Sequence, residues 1–283
     1  MTISFIIATL GKKLKELDKL VNSICKSQNK AYCEIIIISQ LNHAIVEKLI
    51  NHYSNNLCIR HIKSDVIGLS YNRNIGIKEA KGEILAFPDD DCYYKNNAIH
   101  KVLNIFLSDK NLTLVSGIQV DPKTYSTQKF ALSKNRFFCE KDIFKVCNSI
   151  TIFIKKQEDH FFDEKFGTGK YFGACEETDY VYRYIMNYGG NNFFDKDIII
   201  FHNVPDYSSI DQQSIRSYAR GYGAFFKKDR RYFTELYLAI EILIFQPLFG
   251  IIVSIILFQK DKLKYRIEKI IGIWEGFINF TYD

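Results

Sequence analysis

Tryptophan and methionine are nearly absent from this 283-residue chain, with one and two copies, and proline occurs only four times. With 47% hydrophobic residues, so little proline excludes an extended or disordered chain and leaves material for a sizeable core. The aromatic content of 15% comes from Tyr and Phe instead. The seven cysteines (Cys25, Cys33, Cys58, Cys92, Cys139, Cys147, Cys175) are odd in number and scattered, with no C-x-x-C pair. That argues against a structural zinc site and points to free thiols in a reducing compartment. Strong charge bias is lacking too. A net charge of +6 fits a nucleotide-sugar or anionic-lipid partner and falls short of a nucleic-acid signature, so no nucleic acid is expected. No internal repeat or low-complexity segment occurs. The first residues do not read as a secretory leader: the apolar run 3–8 is short and precedes Lys12 and Lys13, whereas a leader's basic residues are expected first. The body of the protein is expected in the cytoplasm.

What is present is a rhythm. An apolar β-branched run at Ile3–Thr9 leads to Gly11 and an amphipathic helix over 13–27, whose buried face is Leu17, Leu20, Val21 and Ile24. Residues 34–39 (EIIIIS) read as a second strand, and their unbroken apolar character suits a parallel strand covered on both sides. A helix over 44–53, a strand over 58–62, a helix over 69–80 and a strand over 84–87 follow. This alternation predicts an α/β fold with a Rossmann-like, mostly parallel sheet flanked by helices. Further on, helices are expected at 96–107, 176–188 and 214–226, and strands at 112–118, 149–155 and 197–201. Residues 166–173 are glycine-rich and read as a loop.

The fourth strand stops at Pro88 and then presents Asp89, Asp90 and Asp91 in a row. Two like charges 4 Å apart repel by about 1 kcal/mol in water and by several times that near a protein interior. A divalent cation removes that cost. Asp89 and Asp91 form a D-x-D pair of carboxylates, the ligand type that Mg²⁺ and Mn²⁺ prefer. Ligands of such sheets bind beyond the carboxyl ends of the strands, where the triplet falls. Arg73 is placed where a guanidinium and free N–H groups face a phosphate, and Glu176, Glu177 and Asp179 stand at the mouth of a helix. Acids there also offset the helix dipole, but one of them could act as a general base.

In combination, these segments resemble the inverting family 2 glycosyltransferases of GT-A fold, over roughly the first 205 residues. The residues that carry the likeness are IIATLG, the block GLSYNRNIGIKEAKGE, the strand with DDD, FDEKFG, and the acidic EETDYVYR helix. The resemblance implies residues 1–205 as a catalytic domain, with a nucleotide-binding half over 1–92 and an acceptor-binding half over 93–205. Thr9 would line the nucleotide pocket. Arg73 and Asn74 would support the diphosphate and the sugar-binding wall. Asp89 would contact ribose or sugar and, with Asp90, the bound donor, while Asp91 would ligate Mn²⁺ or Mg²⁺ with Asp89 beside it. His202 matches a histidine that reaches the metal or diphosphate. Glu177 stands where the family has its catalytic base, with Glu176 next to it. Two departures stand out. The family's second strand ends in an Asp that helps hold the base, where this chain has Ser39-Gln40, a neutral polar pair that could still hydrogen-bond uracil and so puts Ser39 among the expected nucleotide-sugar-binding residues; and the family's E-D pair is here Glu176-Glu177. The expected reaction moves a hexose from a UDP-sugar to a hydroxyl of a lipid-linked or other oligosaccharide acceptor of capsule or O-antigen type. A sugar nucleotidyltransferase would carry a Gly- and Arg/Lys-rich signature after the first strand, and ATLGKK is too sparse for it. A degenerate, membrane-docked scaffold subunit is the non-enzymatic alternative.

The tail, 206–283, reads as a helical extension. Residues 242–258 form a 17-residue stretch without a formal charge, interrupted by Pro247 and Gly250. Lys227, Lys228, Arg230 and Arg231 precede it and Lys260, Lys262, Lys264 and Arg266 follow it. Basic flanks on both sides oppose a single crossing. A kinked or interface-lying hairpin on the cytoplasmic face of the inner membrane accommodates both facts, and a buried core helix pair or an oligomer contact is the alternative.

Overall fold

The computed structural model describes residues 1–26, 33–53, 58–127, 132–203, 211–229 and 246–282. The chain groups into two compact units, one of residues 1–162 and 180–204 and one of 163–179 and 205–283.

The first unit is built on a single sheet. Its leading strands are β1 (Ile3–Thr9), β2 (Cys33–Ser39), β3 (Cys58–Lys63) and β4 (Ile84–Ala86), which lie in the order β3-β2-β1-β4 and are all parallel. β2 is buried along its whole length, because helices cover both faces of a parallel sheet and leave no side for water. Those helices are α1 (Leu14–Lys26), α2 (His43–Asn51) and α3 (Leu69–Glu79). α1 buries Leu17, Leu20, Val21 and Ile24, as its periodicity predicts. α3 approaches the sheet closely through Gly76, where a Cβ would stand 2.3 Å from the Ile6 side chain.

Past β4 the sheet changes character. The short β5 (Tyr93–Tyr94) and α4 (Ala98–Ser108) lead into β6 (Leu112–Val120). β7 (Arg136–Phe137), the one-turn α5 (Ile143–Val146), β8 (Ile152–Lys155), residues 180–188 of α6 (Glu176–Tyr188) and β9 (Asn191–Phe201) complete the unit. β8 inserts between β4 and β6 and runs antiparallel to both, while β9 pairs β6 in parallel and β5 and β7 antiparallel. The parallel half is as expected, and the second half is mixed. β9 begins six residues before the expected start, since 191–196 (NNFFDK) carry only two apolar residues, set side by side, and lack both a strand-like alternation and the apolar run of 198–201.

Among the described residues, the second unit joins the segment 163–179 to three helices, α7 (Gln212–Lys228), α8 (Gln246–Ile256) and α9 (Lys260–Asn279). α7 opens on Asp211, whose carboxylate accepts the Ser214 N–H at 2.9 Å. α7 and α9 cross on small residues: a Cβ on Gly276 would meet the Arg220 carbonyl at 2.0 Å. Arg216 and Arg220 of α7 pair with Glu268 and Glu275 of α9 at 3.2 Å each. Phe280 is buried against Phe166 and Phe172, with ring centroids 5.8 and 5.6 Å away. α8 and α9 form a hairpin held by Arg266, which donates to Ser254 Oγ at 2.5 Å and to the Gly250 carbonyl. Of the apolar stretch expected at 242–258, residues 242–245 lie outside the described residues, as do Arg230 and Arg231. Among the described residues, no helix is long and apolar enough to cross a membrane.

Candidate active site

The carboxyl ends of β2, β1 and β4 lie side by side in the sheet, and each delivers a polar residue. β1 ends on Thr9, whose hydroxyl donates to Asp90 Oδ2 at 2.6 Å and accepts the Gly11 N–H at 2.9 Å. Gly11 holds φ +65° against Asn42 and Val46, so the turn after β1 is closed to any larger residue. Burial pushes the Asp90 carboxyl up, and the hydrogen bond from Thr9 and the charge of Lys13 only partly offset it.

Asp89 and Asp91 stand apart from Asp90 in their partners. Asp89 accepts from Arg73 Nη2 at 3.0 Å, and Arg73 is 1% exposed. Asp91 Oδ1 accepts from His202 Nε2 at 3.1 Å and Oδ2 from Lys13 Nζ at 2.5 Å. The hydrogen bond from His202 is the main cause holding the Asp91 carboxyl well below the usual carboxylate range. Lys13 adds to it, and burial opposes both. For His202, burial alone would lower its pKa, but Asp91 prevails and raises it. One ligand atom from each of Asp89, Asp91 and His202 falls within 4.8 Å of the others. Two carboxylate oxygens and one imidazole nitrogen at that spacing fit a divalent cation.

His202 is positioned by a polar chain. Asn148 Nδ2 donates to Gln119 Oε1 at 3.0 Å, and Gln119 Nε2 faces His202 Nδ1 at 3.0 Å. For His202 Nε2 to present a lone pair to a metal, its proton must sit on Nδ1, and the Gln119 amide must then turn to accept it. Beside the carboxylates opens a cleft of about 250 Å³, with Lys15, Lys19, Asp91, Tyr93 and His202 among its walls. Lys19 Nζ lies 3.4 Å above the Tyr93 ring, which itself stacks on Phe201 at 4.9 Å.

The other expected residues have distinct surroundings. Arg73 sits in the second turn of α3 and acts on Asp89, with its guanidinium 5.4 Å from the Phe162 ring. The Asn74 amide is engaged by main chain, donating to the Phe162 carbonyl at 3.0 Å and accepting its N–H at 2.8 Å. Asn74 is therefore a clasp on residue 162. Ser39, fully buried at the end of β2, has its hydroxyl 2.6 Å from His43 Nδ1 and 2.8 Å from His61 Nε2. Gln40 accepts the Gly68 N–H through its side chain at 2.9 Å.

Glu176 and Glu177 open α6 and belong to the second unit. Glu176 is buried and Glu177 half-buried. They follow Cys175, a buried residue with φ +69°, a left-handed conformation that a side chain adopts only under constraint. Asp179 pairs with Lys228 Nζ at 2.6 Å, and the same ammonium holds Asp163 at 2.7 Å. One lysine thus ties the FDEKFG segment to the acidic helix.

Sequence reasoning missed Lys13, His43, His61, Gln119 and Lys228. Lys13 was legible only as one of several lysines after β1, and its contact with Asp91 spans 78 residues. A signal for the histidines did exist: Ser39 replaces an acid, and two histidines stand four and 22 residues further on.

Among curated proteins, none matches this sequence. Among solved structures, S. aureus TarS 1–349 in complex with UDP aligns over 100% of this chain and 93% of its own, at 14% identity and a TM-score of 0.62. The complex of the same protein with UDP-GlcNAc gives the same values. A further S. aureus TarS structure aligns over 98% of this chain and 55% of its own, at 16% identity and a TM-score of 0.60. At these identities the likeness is one of fold, and it is the expected GT-A architecture, a central sheet flanked by helices with further helices at the C-terminal end. The profile described as Glycosyl transferase family 2 matches residues 4–170, more than half of the sequence, and the chain belongs to that family.

Proposed function

We propose that this glycosyltransferase is metal-dependent and inverting, and that it transfers a hexose from a UDP-sugar to a hydroxyl of an oligosaccharide acceptor. The acceptor is lipid-linked, of the kind used in capsule or O-antigen synthesis. The observation that carries the reading is the cluster of Asp89, Asp91 and His202 beyond the carboxyl end of β4, with buried Arg73 fixing one carboxylate. The TarS structures crystallised with UDP and UDP-GlcNAc support the choice of sugar donor.

Asp89, Asp91 and His202 would hold Mn²⁺ or Mg²⁺, which when bound neutralises charge on a leaving diphosphate. Thr9 orients Asp90 toward the mouth of the nucleotide pocket, and Arg73 keeps Asp89 aimed. Residues 1–92 serve the nucleotide and 93–205 the acceptor. Glu177, with Glu176 as its alternate, is the proposed base that takes the acceptor's proton, on the strength of its place in the acidic helix motif. The hydroxyl oxygen then forms the new bond to the anomeric carbon as the bond to the diphosphate breaks. The face is opposite, so an α-linked sugar donor yields a β-linked product. Exposed apolar residues of α8 and exposed lysines of α9 support a station on the cytoplasmic face of the inner membrane, held peripherally or monotopically.

The test is titration of UDP with and without Mn²⁺. Wild type is expected to bind UDP far more tightly with the metal. Asp91→Asn should lose that gain by at least the roughly 10–100-fold seen when even outer partners of a metal site are removed. Metal-enhanced UDP binding that survives the substitution would reject the assignment.

A further inference from the structure

Asp91, His202, Gln119 and Asn148 form one continuous line of hydrogen bonds, drawn from four separate stretches of the chain. His202 Nε2 lies 3.1 Å from Asp91 Oδ1, Gln119 Nε2 lies 3.0 Å from His202 Nδ1, and Asn148 Nδ2 donates to Gln119 Oε1 at 3.0 Å. Asp91 sets the direction of the line. A carboxylate only accepts, so a neutral ring keeps its proton on Nε2 and leaves Nδ1 without one. Gln119 accordingly turns its N–H₂ to the ring and its oxygen to Asn148, which answers with its own N–H₂. At the far end the Asn148 oxygen faces the 3₁₀ turn Ser149–Thr151. There it accepts the Ile150 N–H at 3.5 Å and the Ser149 hydroxyl at 3.4 Å.

A cation at Asp89, Asp91 and His202 requires the opposite direction. Once Nε2 gives its lone pair to the cation, the ring proton sits on Nδ1 and needs an acceptor. Gln119 supplies one only with its amide reversed. Its N–H₂ then faces Asn148, which must reverse in turn and take its oxygen off the 3₁₀ turn. Amides can do this, because exchanging oxygen and nitrogen leaves their shape unchanged. The two contacts given up at Asn148 are long, so its reversal is easy. A carboxylate in either place would suit only the loaded direction, and an apolar residue would suit neither. Gln119 is buried, so a mismatch there would find little water to relieve it.

We infer that Gln119 and Asn148 are positioning residues, a reversible amide relay that sets which nitrogen of His202 is free to bind and so tunes the hold on the cation. The relay satisfies the imidazole in the empty and in the loaded site, and holds the cation less tightly than a carboxylate in its place would. It rests on the cation site proposed above and deepens that reading, since it concerns the groups behind a ligand.

Asn148→Asp is the discriminating variant. It keeps the side-chain shape and an oxygen at the 3₁₀ turn, while its other oxygen can only accept from Gln119. The experiment measures Mn²⁺ uptake by the full chain at pH 8, from the electron paramagnetic resonance of the free ion. Gln119→Leu is expected to weaken uptake by roughly 10–100-fold, as loss of an outer partner of a metal-bound histidine does. Asn148→Asp should tighten it by about fivefold, and should change nothing once Gln119→Leu is present. A second measurement follows the ¹⁵N resonances of the His202 ring, assigned by their loss in His202→Asn. Without metal, above the ring's own titration, Nδ1 should carry no proton. With Zn²⁺, a diamagnetic ion that takes imidazole and carboxylate, Nδ1 should carry it. A gain from Asn148→Asp that persists without Gln119 is an effect of added charge alone and would overturn the relay. A loaded site whose Nδ1 stays unprotonated would overturn it as well. Should Gln119→Leu lose its thermal transition, the Asn148→Asp gain and the ring proton carry the test. Uptake that neither variant moves would leave the cation site standing and the relay rejected. If wild type takes up no Mn²⁺, with or without UDP, the cation site falls, and this inference with it.

Discussion

At the residue scale, the acid cluster is a site divided among its hydrogen-bond and ion-pair partners. Thr9 takes Asp90, Arg73 takes Asp89, and His202 and Lys13 share Asp91. The triplet was legible in the sequence because three adjacent carboxylates at a strand end need an external reason to exist. Its partition among four partners was not, because those partners come from separate parts of the chain. Lys13 makes the consequence testable. Its ammonium sits on Asp91 Oδ2, an oxygen of a proposed metal ligand, so it competes with an incoming cation for that carboxylate. Lys13 is about half exposed, and ion pairs of that kind contribute less than about 1 kcal/mol. Lys13→Met is therefore expected to tighten Mn²⁺ binding in the absence of nucleotide by about two- to fivefold, read by calorimetry. Weaker metal binding in the variant would mean that Lys13 supports the site instead of competing for it.

At the element scale, runs with one strong period were read correctly and short ones were not. β1, β2 and β4 announce themselves by apolar runs, and α1 by its four buried positions. β5 and β7 are two residues long and exist because β9 offers them an edge, a tertiary cause without a local signature. Glu34, the second residue of β2, looked like an acid at a strand start. It is in fact a buried junction. Its carboxylate accepts from Ser4 Oγ at 2.5 Å, Arg60 Nη2 at 2.9 Å, and the N–H groups of Lys81 and Gly82 at 2.5 and 3.1 Å. It thereby joins β1, β2, β3 and the turn before β4. Burial pushes its pKa up, but these hydrogen bonds prevail and hold it below the ordinary value. A depressed folded-state value contributes stability that is present above the unfolded-state value of about 4.3 and is lost as pH falls through the folded one. Glu34→Gln is therefore expected to cost about 1–3 kcal/mol at pH 7, because the amide N–H₂ would face donors. The difference from wild type should shrink below about pH 4. Equal denaturant midpoints for the two proteins at pH 7 would show that the junction contributes nothing.

At the scale of the whole molecule, the catalytic frame was readable from the amino end and the tail was not. The resemblance ran to about residue 205, and past it only charge and hydropathy were available. The tail's charge-free stretch suggested contact with a bilayer, and its described part has the exposure such contact would use. Leu248, Phe249, Ile252, Ile255, Ile256, Leu257 and Phe258 are all exposed, Phe258 at 88%. Lys260, Lys262 and Lys264 follow directly and are exposed too. α8 has 11 residues, about 16 Å of helix, against a hydrocarbon layer of about 30 Å, so it lies on a membrane more readily than through one. Arg266 of α9 donates to Ser254 and to the Gly250 carbonyl of α8 and so ties the two helices of the hairpin together. Inserting Phe249 and Phe258 into the acyl boundary should contribute on the order of 1 kcal/mol each even at partial depth, and each nearby lysine about 1 kcal/mol on an anionic surface. The full chain is accordingly expected to sediment with phosphatidylglycerol-containing vesicles and far less with pure phosphatidylcholine. The double substitution Phe249→Ser, Phe258→Ser should lower that affinity by about tenfold or more while leaving UDP binding intact. Sedimentation that ignores both the substitutions and the lipid charge would remove the membrane from the proposed function and leave this apolar face to a protein partner.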